Sequence, residues 1–325
     1  MRAVVVTRHG GPDVLELQEV ADPVAAAGQL LVEVEAAGVN YRDIHEREGA
    51  HPNAAPLVAG IEGAGTVTAV GDGVERFAVG DRVAWSSCAG SYAERIALDA
   101  AKAVRVPDGL SSEVAAAAIL QGMTAQYLAN TTFPVRPGDV ALVHSAAGGV
   151  GLLLTQFVTQ RGGTVIGTTS TGAKAEIARN AGAAEVIGYD GFAERVRELT
   201  GGDGADVVYD GLGRDALEEN LRSLRRRGTL VVFGMRTGAL GPLDTDRLLE
   251  RSLAFTRTTL RDHTVTREEL DARATDVFDG ILAGRLEITI GGRYPLAHAA
   301  HAQADLESRA TSGKLVLIPT EAAPA

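Results

Sequence analysis

The chain has 325 residues, 45% hydrophobic and 22% charged, a size and composition typical of a soluble globular protein with two domains. Its formal net charge of −11 argues against general binding to nucleic acid or to anionic membranes. No apolar run approaches the ~20 residues that a membrane-spanning helix needs, and the N-terminus lacks a signal-peptide pattern.

The chain contains one cysteine, Cys88. A single cysteine excludes an intramolecular disulfide framework and a zinc site made of several cysteines. We therefore expect a cytoplasmic protein. For Cys88 itself, a packed or loop residue is favoured over a catalytic nucleophile.

Residues 1 to about 120 are rich in short β-type runs that glycine and proline turns separate. Such spacing predicts a compact β domain that is partly a barrel. The predicted strands are 2–7, 15–19, 30–36, 63–70, 82–85 and 91–98. A helix with an alanine-rich middle follows at 111–128, and Ser111 or Ser112 can cap it.

Strands and helices then alternate between residues 140 and 234, which predicts a parallel sheet with helices on both faces. The predicted strands are 140–143, 164–170, 185–189, 205–210 and 229–234, and the predicted helices are 150–158, 174–181, 192–199 and 216–226. We expect the basic run Arg225-Arg226-Arg227 to end the last helix, where cations complement the helix dipole.

The last part of the chain contains a predicted helix at 267–283, an irregular stretch and a final strand at 314–318, followed by a frayed tail. Because this strand has no neighbouring partner in the sequence, we expect it to return to the first domain. Residues 1–122 and 261–325 then form a β-rich domain, and residues 123–260 form a doubly wound parallel-sheet domain of the Rossmann type, which makes the fold class α/β.

The turn between strand 140–143 and the following helix has the spacing Ser145-x-x-Gly148-x-x-Gly151. Small residues here let a pyrophosphate approach backbone N–H groups at the start of a helix. The predicted contacts are Ala147, Gly148, Gly149, Val150 and Gly151. An ordinary tight turn is the alternative.

The next strand ends in Thr168-Thr169-Ser170, without the acidic residue that usually bonds the ribose 2′-hydroxyl of NAD about 20 residues past the glycine turn. The first cation after it is Lys174. A hydroxyl and an ammonium group suit a 2′-phosphate, so these residues predict NADPH rather than NADH. Alternatively, Lys174 is a solvated helix residue.

Seven motifs occur in order along nearly the whole chain: Gly10-Gly-Pro-Asp-Val-Leu15, Ala37-Gly-Val-Asn40 with Asp43, Gly60-Ile-Glu-Gly-Ala-Gly65, Val79-Gly-Asp-Arg-Val83, Gly90-Ser-Tyr-Ala-Glu94, His144-Ser-Ala-Ala-Gly-Gly-Val-Gly151 and Gly313-Lys-Leu-Val-Leu-Ile-Pro319. With them the chain resembles the zinc-independent quinone oxidoreductase (zeta-crystallin-like) branch of the medium-chain dehydrogenase/reductase superfamily. The resemblance implies a GroES-like catalytic domain built from both ends of the chain, a nucleotide-binding domain and a homodimer.

Zinc-dependent relatives carry a cysteine at the position of Asn40 and a histidine at the position of Ile61. A catalytic zinc needs about three protein ligands, and neither residue is a suitable one. We therefore expect no metal.

The resemblance also implies the site residues. Those at the adenosine phosphate are Ser170, Lys174 and Tyr189, and those near the nicotinamide are Asn40, Tyr41, His45, Thr124, Phe233, Gly234 and Arg309. Alternatives stay open: Asn40 can shape a turn, Thr124 can bond its own helix, and Arg309 can be a surface cation. The family often has a tyrosine at the position of His45 and an aromatic residue at the position of His51. A solvent-facing loop position is favoured for His51, and for His45 it stays an open alternative.

The expected reaction is hydride transfer from NADPH to a quinone or another conjugated carbonyl compound, without metal, with Asn40, Tyr41, His45 and Thr124 as the catalytic candidates. One alternative is an enoyl reductase for thioester or polyketide-type intermediates. Another is a crystallin-like protein that binds NADPH and turns over little.

Overall fold

The structure, a computed structural model, describes residues 1–50 and 53–320. The chain divides into two compact units: the first contains Met1–Gln121, Val265–Gly284 and Ile288–Ala325, and the second contains Gly122–Thr264 and Arg285–Glu287. The sequence had placed residues 285–287 in the first domain. They group with the second unit because Gln156 accepts a hydrogen bond from the Glu287 N–H (2.7 Å) and donates one to its carbonyl (3.1 Å).

The strands are β1 (Arg2–Val6), β2 (Leu15–Glu19), β3 (Gln29–Val39), β4 (Leu57–Val58), β5 (Gly63–Val70), β6 (Arg82–Trp85), β7 (Arg95–Asp99), β8 (Val104–Arg105), β9 (Val140–Val143), β10 (Thr164–Thr168), β11 (Glu185–Ile187), β12 (Ala205–Asp210), β13 (Leu224–Val232), β14 (Ala254–Arg257), β15 (Ile290–Pro295) and β16 (Lys314–Ile318). The helices are α1 (Tyr41–Arg47), α2 (Ser112–Tyr127), α3 (Gly149–Gln160), α4 (Gly172–Asn180), α5 (Phe192–Leu199), α6 (Leu217–Ser223), α7 (Thr245–Leu249), α8 (Arg267–Leu282) and α9 (Ala299–Ser308).

The first unit is built around β3, the longest of these strands. Alternate residues of β3, Leu30, Val32 and Val34, are buried in a common apolar core, as the two-residue repeat of a strand requires. β3 lies in a sheet of order β15-β16-β3-β5-β6-β8 and also pairs with β7, while β2, β1 and β4 form a smaller sheet. The final strand β16 runs antiparallel to β3, with Leu315 opposite Val39. Its predicted return to the first domain is confirmed.

The second unit contains a sheet of order β11-β10-β9-β12-β13-β14, in which neighbouring strands are parallel. Numbered from β9 along the chain, this order is 3-2-1-4-5-6, that of a Rossmann fold. The predicted fold class is confirmed. The order reverses between β9 and β12, and a ligand binds at the carboxyl ends of the strands at such a point.

The basic run at 225–227 does not end a helix, so this prediction was wrong. Helix α6 ends at Ser223, and β13 begins at the next residue. Arg225 forms an ion pair with Asp206 of β12, and Arg227 takes a φ of +60°, which an α-helix does not allow. A carboxylate on the neighbouring strand, instead of a helix dipole, balances this charge.

The stretch between residues 283 and 314, predicted to be irregular, contains β15 and α9. β15 carries Gly291 and Gly292, which are poor strand formers, and it is fixed by parallel pairing with β16. α9 buries Ala299, Ala302 and Gln303. None of the described helices is both long and apolar enough to span a bilayer.

Candidate functional site

The glycine turn follows β9 at the carboxyl edge of the parallel sheet. The Gly148 N–H donates to the Ser145 carbonyl at 2.8 Å, and Gly148 is the N-cap of α3, where it has no side chain to offer the helix. A Cβ on Gly151 would lie 2.3 Å from the Ser145 carbonyl oxygen and 2.8 Å from the Cα of Ala146. Only glycine therefore lets α3 start this close to the turn, and its first N–H groups can meet an anion.

Two of the three residues assigned to the adenosine phosphate, Ser170 and Lys174, follow the end of β10. Ser170 is exposed and directly precedes Thr171, the N-cap of α4. Lys174 is half-buried in the first turn of α4, and its N–H donates to the Thr171 hydroxyl at 3.3 Å. Residues 168–175 contain no carboxylate. The segment that follows β10 therefore offers a hydroxyl and an ammonium group without a carboxylate among residues 168–175.

Tyr189 follows β11, and its hydroxyl lies 3.2 Å from the Oγ of Ser145. The structure thus brings Tyr189 to the glycine turn itself. Ser145 has a φ of +52°, and its N–H donates to the Thr168 hydroxyl at 3.3 Å. The carboxyl ends of β9, β10 and β11 are joined by these contacts.

His144, between β9 and the glycine turn, is a central residue that the sequence reasoning did not single out. It is buried, with Nδ1 2.9 Å from the Thr168 hydroxyl and Nε2 2.6 Å from the Oδ1 of Asn220. Its ring stacks with Tyr189 and meets Phe192 edge-on. Burial lowers the pKa of His144 to about 4. A neutral ring therefore ties the end of β9 to β10 and α6.

The Phe233–Gly234 turn lies against the end of β12. The N–H groups of both residues donate to the Asp210 carbonyl, at 3.0 and 3.3 Å, and a Cβ on Gly234 would lie 2.9 Å from the Gly211 carbonyl oxygen. The Asp210 carboxylate accepts from the Leu212 N–H at 2.6 Å, and burial raises its pKa to about 6. Asp210 was also missed, although an acidic residue at the end of an apolar strand is a recognisable signal.

In the first unit, the side chain of Asn40 has all of its hydrogen-bonding positions filled. Its Nδ2 donates to the Gly38 carbonyl at 3.1 Å and to Glu62 at 3.0 Å. Its Oδ1 accepts from Gln121 at 2.6 Å and from Lys314 at 2.7 Å. A direct bond from the Asn40 side chain to the nicotinamide or the substrate would therefore require one of these bonds to break.

Helix α1 carries Tyr41 and His45. The Tyr41 hydroxyl donates to the Leu306 carbonyl of α9 at 2.9 Å, and His45 is half-buried one turn further. Asp43 accepts from the Asn40 N–H and from the Tyr92 hydroxyl, at 2.9 and 2.8 Å, and burial raises its pKa to about 7. These bonds fix the start of α1, and sequence reasoning had missed the role of Asp43.

The structure places the remaining predicted residues as follows. Thr124 is buried in the part of α2 that belongs to the second unit. Arg309 is exposed at the C-terminal end of α9, with a φ of +59°. His51 lies outside the described residues.

The positions that hold zinc in metal-dependent relatives offer little to a metal in this chain. Ile61 is buried and has no ligating atom, and the amide of Asn40 is bonded within the protein. No group of three or more His, Cys, Asp or Glu side chains that could hold a metal ion occurs in residues 1–50 and 53–320. Cys88 is buried, which raises the pKa of its thiol to about 12.

Known proteins resemble the chain over nearly its full length. The family described as alcohol dehydrogenase GroES-like domain matches residues 26–108, and the family described as zinc-binding dehydrogenase matches residues 149–275. Quinone oxidoreductase 1 of Escherichia coli is 40% identical over 319 residues, which cover 96% of this chain and 98% of the relative. A 2-haloacrylate reductase of Burkholderia sp is 39% identical over 330 residues, 98% of each chain.

A solved mycobacterial structure, complexed with NADPH, is similar to this chain with a TM-score of 0.96. The two sequences are 46% identical, and the match covers 98% of this chain and 100% of that one. The similarity in fold and the similarity in sequence therefore extend over the same part of the chain.

His144→Gln should remove one pH dependence of stability. Folding lowers the pKa of His144 from 6.5 to about 4, so between these values the unfolded chain binds a proton that the folded chain does not. The histidine therefore lowers the free energy of unfolding by up to about 3 kcal/mol as the pH falls through this range. Glutamine stays neutral.

The measurement is urea unfolding of both proteins from neutral pH down to about pH 4. Asp43 and Asp210, whose pKa values are raised by burial, act in the opposite direction. They are present in both proteins, so the difference between the two curves isolates His144. Parallel curves would contradict the expectation.

Proposed function

Because the chain belongs to the quinone oxidoreductase branch of the medium-chain dehydrogenase/reductase superfamily, we propose that it transfers hydride from NADPH to a quinone or another conjugated carbonyl compound. The observation that carries this proposal is the glycine turn at α3. Its close packing at Gly151 leaves the first N–H groups of the helix to a pyrophosphate, in a chain similar to a protein solved with NADPH.

The residues of the second unit fit NADPH. The pyrophosphate would be held by the backbone of Ala147, Gly148, Gly149, Val150 and Gly151. The 2′-phosphate would be held by Ser170, Lys174 and Tyr189, since a hydroxyl and an ammonium group at the end of β10 favour a dianion. Phe233 and Gly234, fixed against Asp210, are assigned to the nicotinamide.

When bound, NADPH supplies the hydride, so the protein has to align the substrate and stabilise charge on its oxygen. We assign this end of the reaction to Asn40, Tyr41, His45 and Thr124, with Arg309 as a further cofactor contact. His45 is the candidate for a hydrogen-bond donor to the substrate oxygen. Asn40 acts through the start of α1, which it fixes, because its own hydrogen bonds are already made within the first unit.

The acceptor is proposed to be an activated carbonyl compound. Ile61 and Asn40 supply no ligand set for a Lewis acid at the zinc position of metal-dependent relatives, and an activated acceptor needs less polarisation than a simple ketone. One relative is named for the reduction of 2-haloacrylate, a conjugated acid, which supports acceptors besides quinones. An enoyl-type reductase therefore remains the second candidate.

The acceptor class can be tested by following NADPH oxidation with a panel of compounds. We expect turnover with p-benzoquinone, naphthoquinones or conjugated enals, unchanged by a chelator, and none with primary alcohols and NADP⁺. Activity confined to alcohols and lost to the chelator would overturn the proposal. Binding of NADPH without turnover of any acceptor would support a crystallin-like protein.

Lys174→Ala should weaken NADPH binding much more than NADH binding. Loss of one charge-assisted hydrogen bond to a phosphate corresponds to a rise in Kd of about tenfold or more, whereas NADH lacks that phosphate. Calorimetry of both cofactors with wild type, Lys174→Ala and Lys174→Arg measures this, and the arginine variant should retain most of the affinity. Equal binding of NADH and NADPH by the wild type would refute the proposed preference.

We also propose a homodimer formed at the edge of the parallel sheet. Within the described residues, β14 pairs with β13 and with no further strand, and such an edge is a template for pairing with a second copy. Light scattering coupled to gel filtration should give twice the mass of one chain. The mass of a single chain at micromolar concentration would contradict it.

We also propose that the protein is located in the cytoplasm. This proposal rests on the presence of a single cysteine in the chain, which is typical of a reducing compartment.

A further inference from the structure

We propose that Lys314 and Glu62 are positioning residues for the reaction, because their buried ion pair holds Asn40, and with it the start of α1, in one orientation. The inference rests on the proposed function only in so far as α1 carries Tyr41 and His45. The orientation of Asn40 itself is a separate claim.

Four distant segments of the chain meet at this pair. The Lys314 Nζ, at the start of β16, lies 2.5 Å from the Oε2 of Glu62 and 2.7 Å from the Oδ1 of Asn40. The Oε1 of Glu62 accepts from the Leu120 N–H of α2 at 2.7 Å, and Gln121 donates to Asn40. The Lys314 and Glu62 side chains are 3% and 0% exposed, so water does not screen the pair.

The pair occupies the space that is open because Gly38 has no side chain. A Cβ on Gly38 would lie 2.3 Å from the Oε2 of Glu62 and 2.7 Å from the Cε of Lys314. Gly38 also supplies the carbonyl that accepts from Asn40. The ammonium group, the carboxylate and the amide therefore occupy a site shaped for all three.

Stability alone does not account for such a pair. Removing two charges from water is costly, and apolar residues of similar volume are often at least as stable as a buried ion pair. The pair does, however, determine the orientation of the Asn40 amide. Lys314 donates to the oxygen of this amide, and Glu62 accepts from its nitrogen. A flipped amide would set donors against donors and acceptors against acceptors, so the pair permits one orientation.

Asn40 is also the N-cap of α1, so a shift of its side chain would displace the backbone from which the helix starts. The backbone N–H of Asn40 donates to Asp43, which also accepts from Tyr92, and these bonds hold the first turn of the helix. Tyr41 and His45 follow within this helix. A change at Lys314 should therefore act on the alignment of the substrate and not on the cofactor site of the second unit.

The test compares the wild type with Lys314→Met, Glu62→Gln and the double variant, and uses Lys102→Met, an exposed lysine of the same unit, as the control. We expect Lys314→Met to lower kcat by about tenfold or more, as small misplacements of reacting groups do, with an unchanged Kd for NADPH. The double variant should regain much of the thermal stability lost in Lys314→Met, because no unpaired carboxylate remains, but not its kcat. Recovery of kcat together with stability would show a merely structural pair and overturn the proposal.

A second readout is independent of turnover. In protein labelled with ¹⁵N-asparagine, the side-chain NH₂ signals of Asn40 should be protected from exchange in the wild type and lose that protection in Lys314→Met and in the double variant. If the wild type reduces no acceptor, the proposed function fails, while these signals still decide the orientation of Asn40. Equal protection in all variants would overturn the positioning role. If Lys314→Met does not fold, Glu62→Gln and the double variant supply the same comparison.

Discussion

A charge removed from water has to find its partner inside the protein, and in the first unit this requirement determines how the two ends of the chain meet. Glu62 has no contact with solvent, and its counter-ion comes from Lys314, some 250 residues later in the sequence. Since Lys314 begins β16, the same contact lies where the last strand pairs with β3. The ion pair therefore links this strand pairing to the buried cluster around Asn40 and to the start of α1.

In the second unit, the hydrogen-bond partners of the buried titratable groups are neutral. At the carboxyl edge of its sheet, His144 is held uncharged by burial, and Asp210 is surrounded by backbone N–H donors. These side chains join the ends of adjacent strands and leave the backbone of the glycine turn for a ligand. The supporting side chains are thus buried and hydrogen-bonded within the protein, whereas the proposed cofactor contacts Ser170 and Lys174 are exposed and half-buried.

Local patterns in the sequence predicted the elements that local chemistry determines. Strand runs such as 140–143 and 205–210, and the glycine spacing of the turn, follow from β-propensity and from steric limits within a few residues. The pattern of alternation then gave the Rossmann class. β14 and β15 were not predicted, because pairing with β13 and β16, and not their composition, makes them strands. Arg225 was misassigned for the same reason: its partner Asp206 belongs to another strand.

The residues of the candidate site also fall into those that local patterns predict and those that they do not. Gly151 and Lys174 could be named from motifs, whereas the saturation of Asn40 depends on Glu62, Gln121 and Lys314, which no short pattern links. His144 and Asp210 stood at recognisable places, the ends of apolar strands, but their roles needed the neighbouring strand to be visible. Positioning residues are harder to predict than contact residues, because their partners are remote in sequence.

The burial of Cys88 has a consequence for a protein proposed to handle quinones. Quinones are electrophiles that alkylate thiolates, and the rate of such addition follows the fraction of sulfur that is ionised and accessible. The one sulfhydryl of the chain is enclosed and holds its proton far above neutral pH. Covalent addition of a quinone to the sulfur of Cys88 is thereby disfavoured.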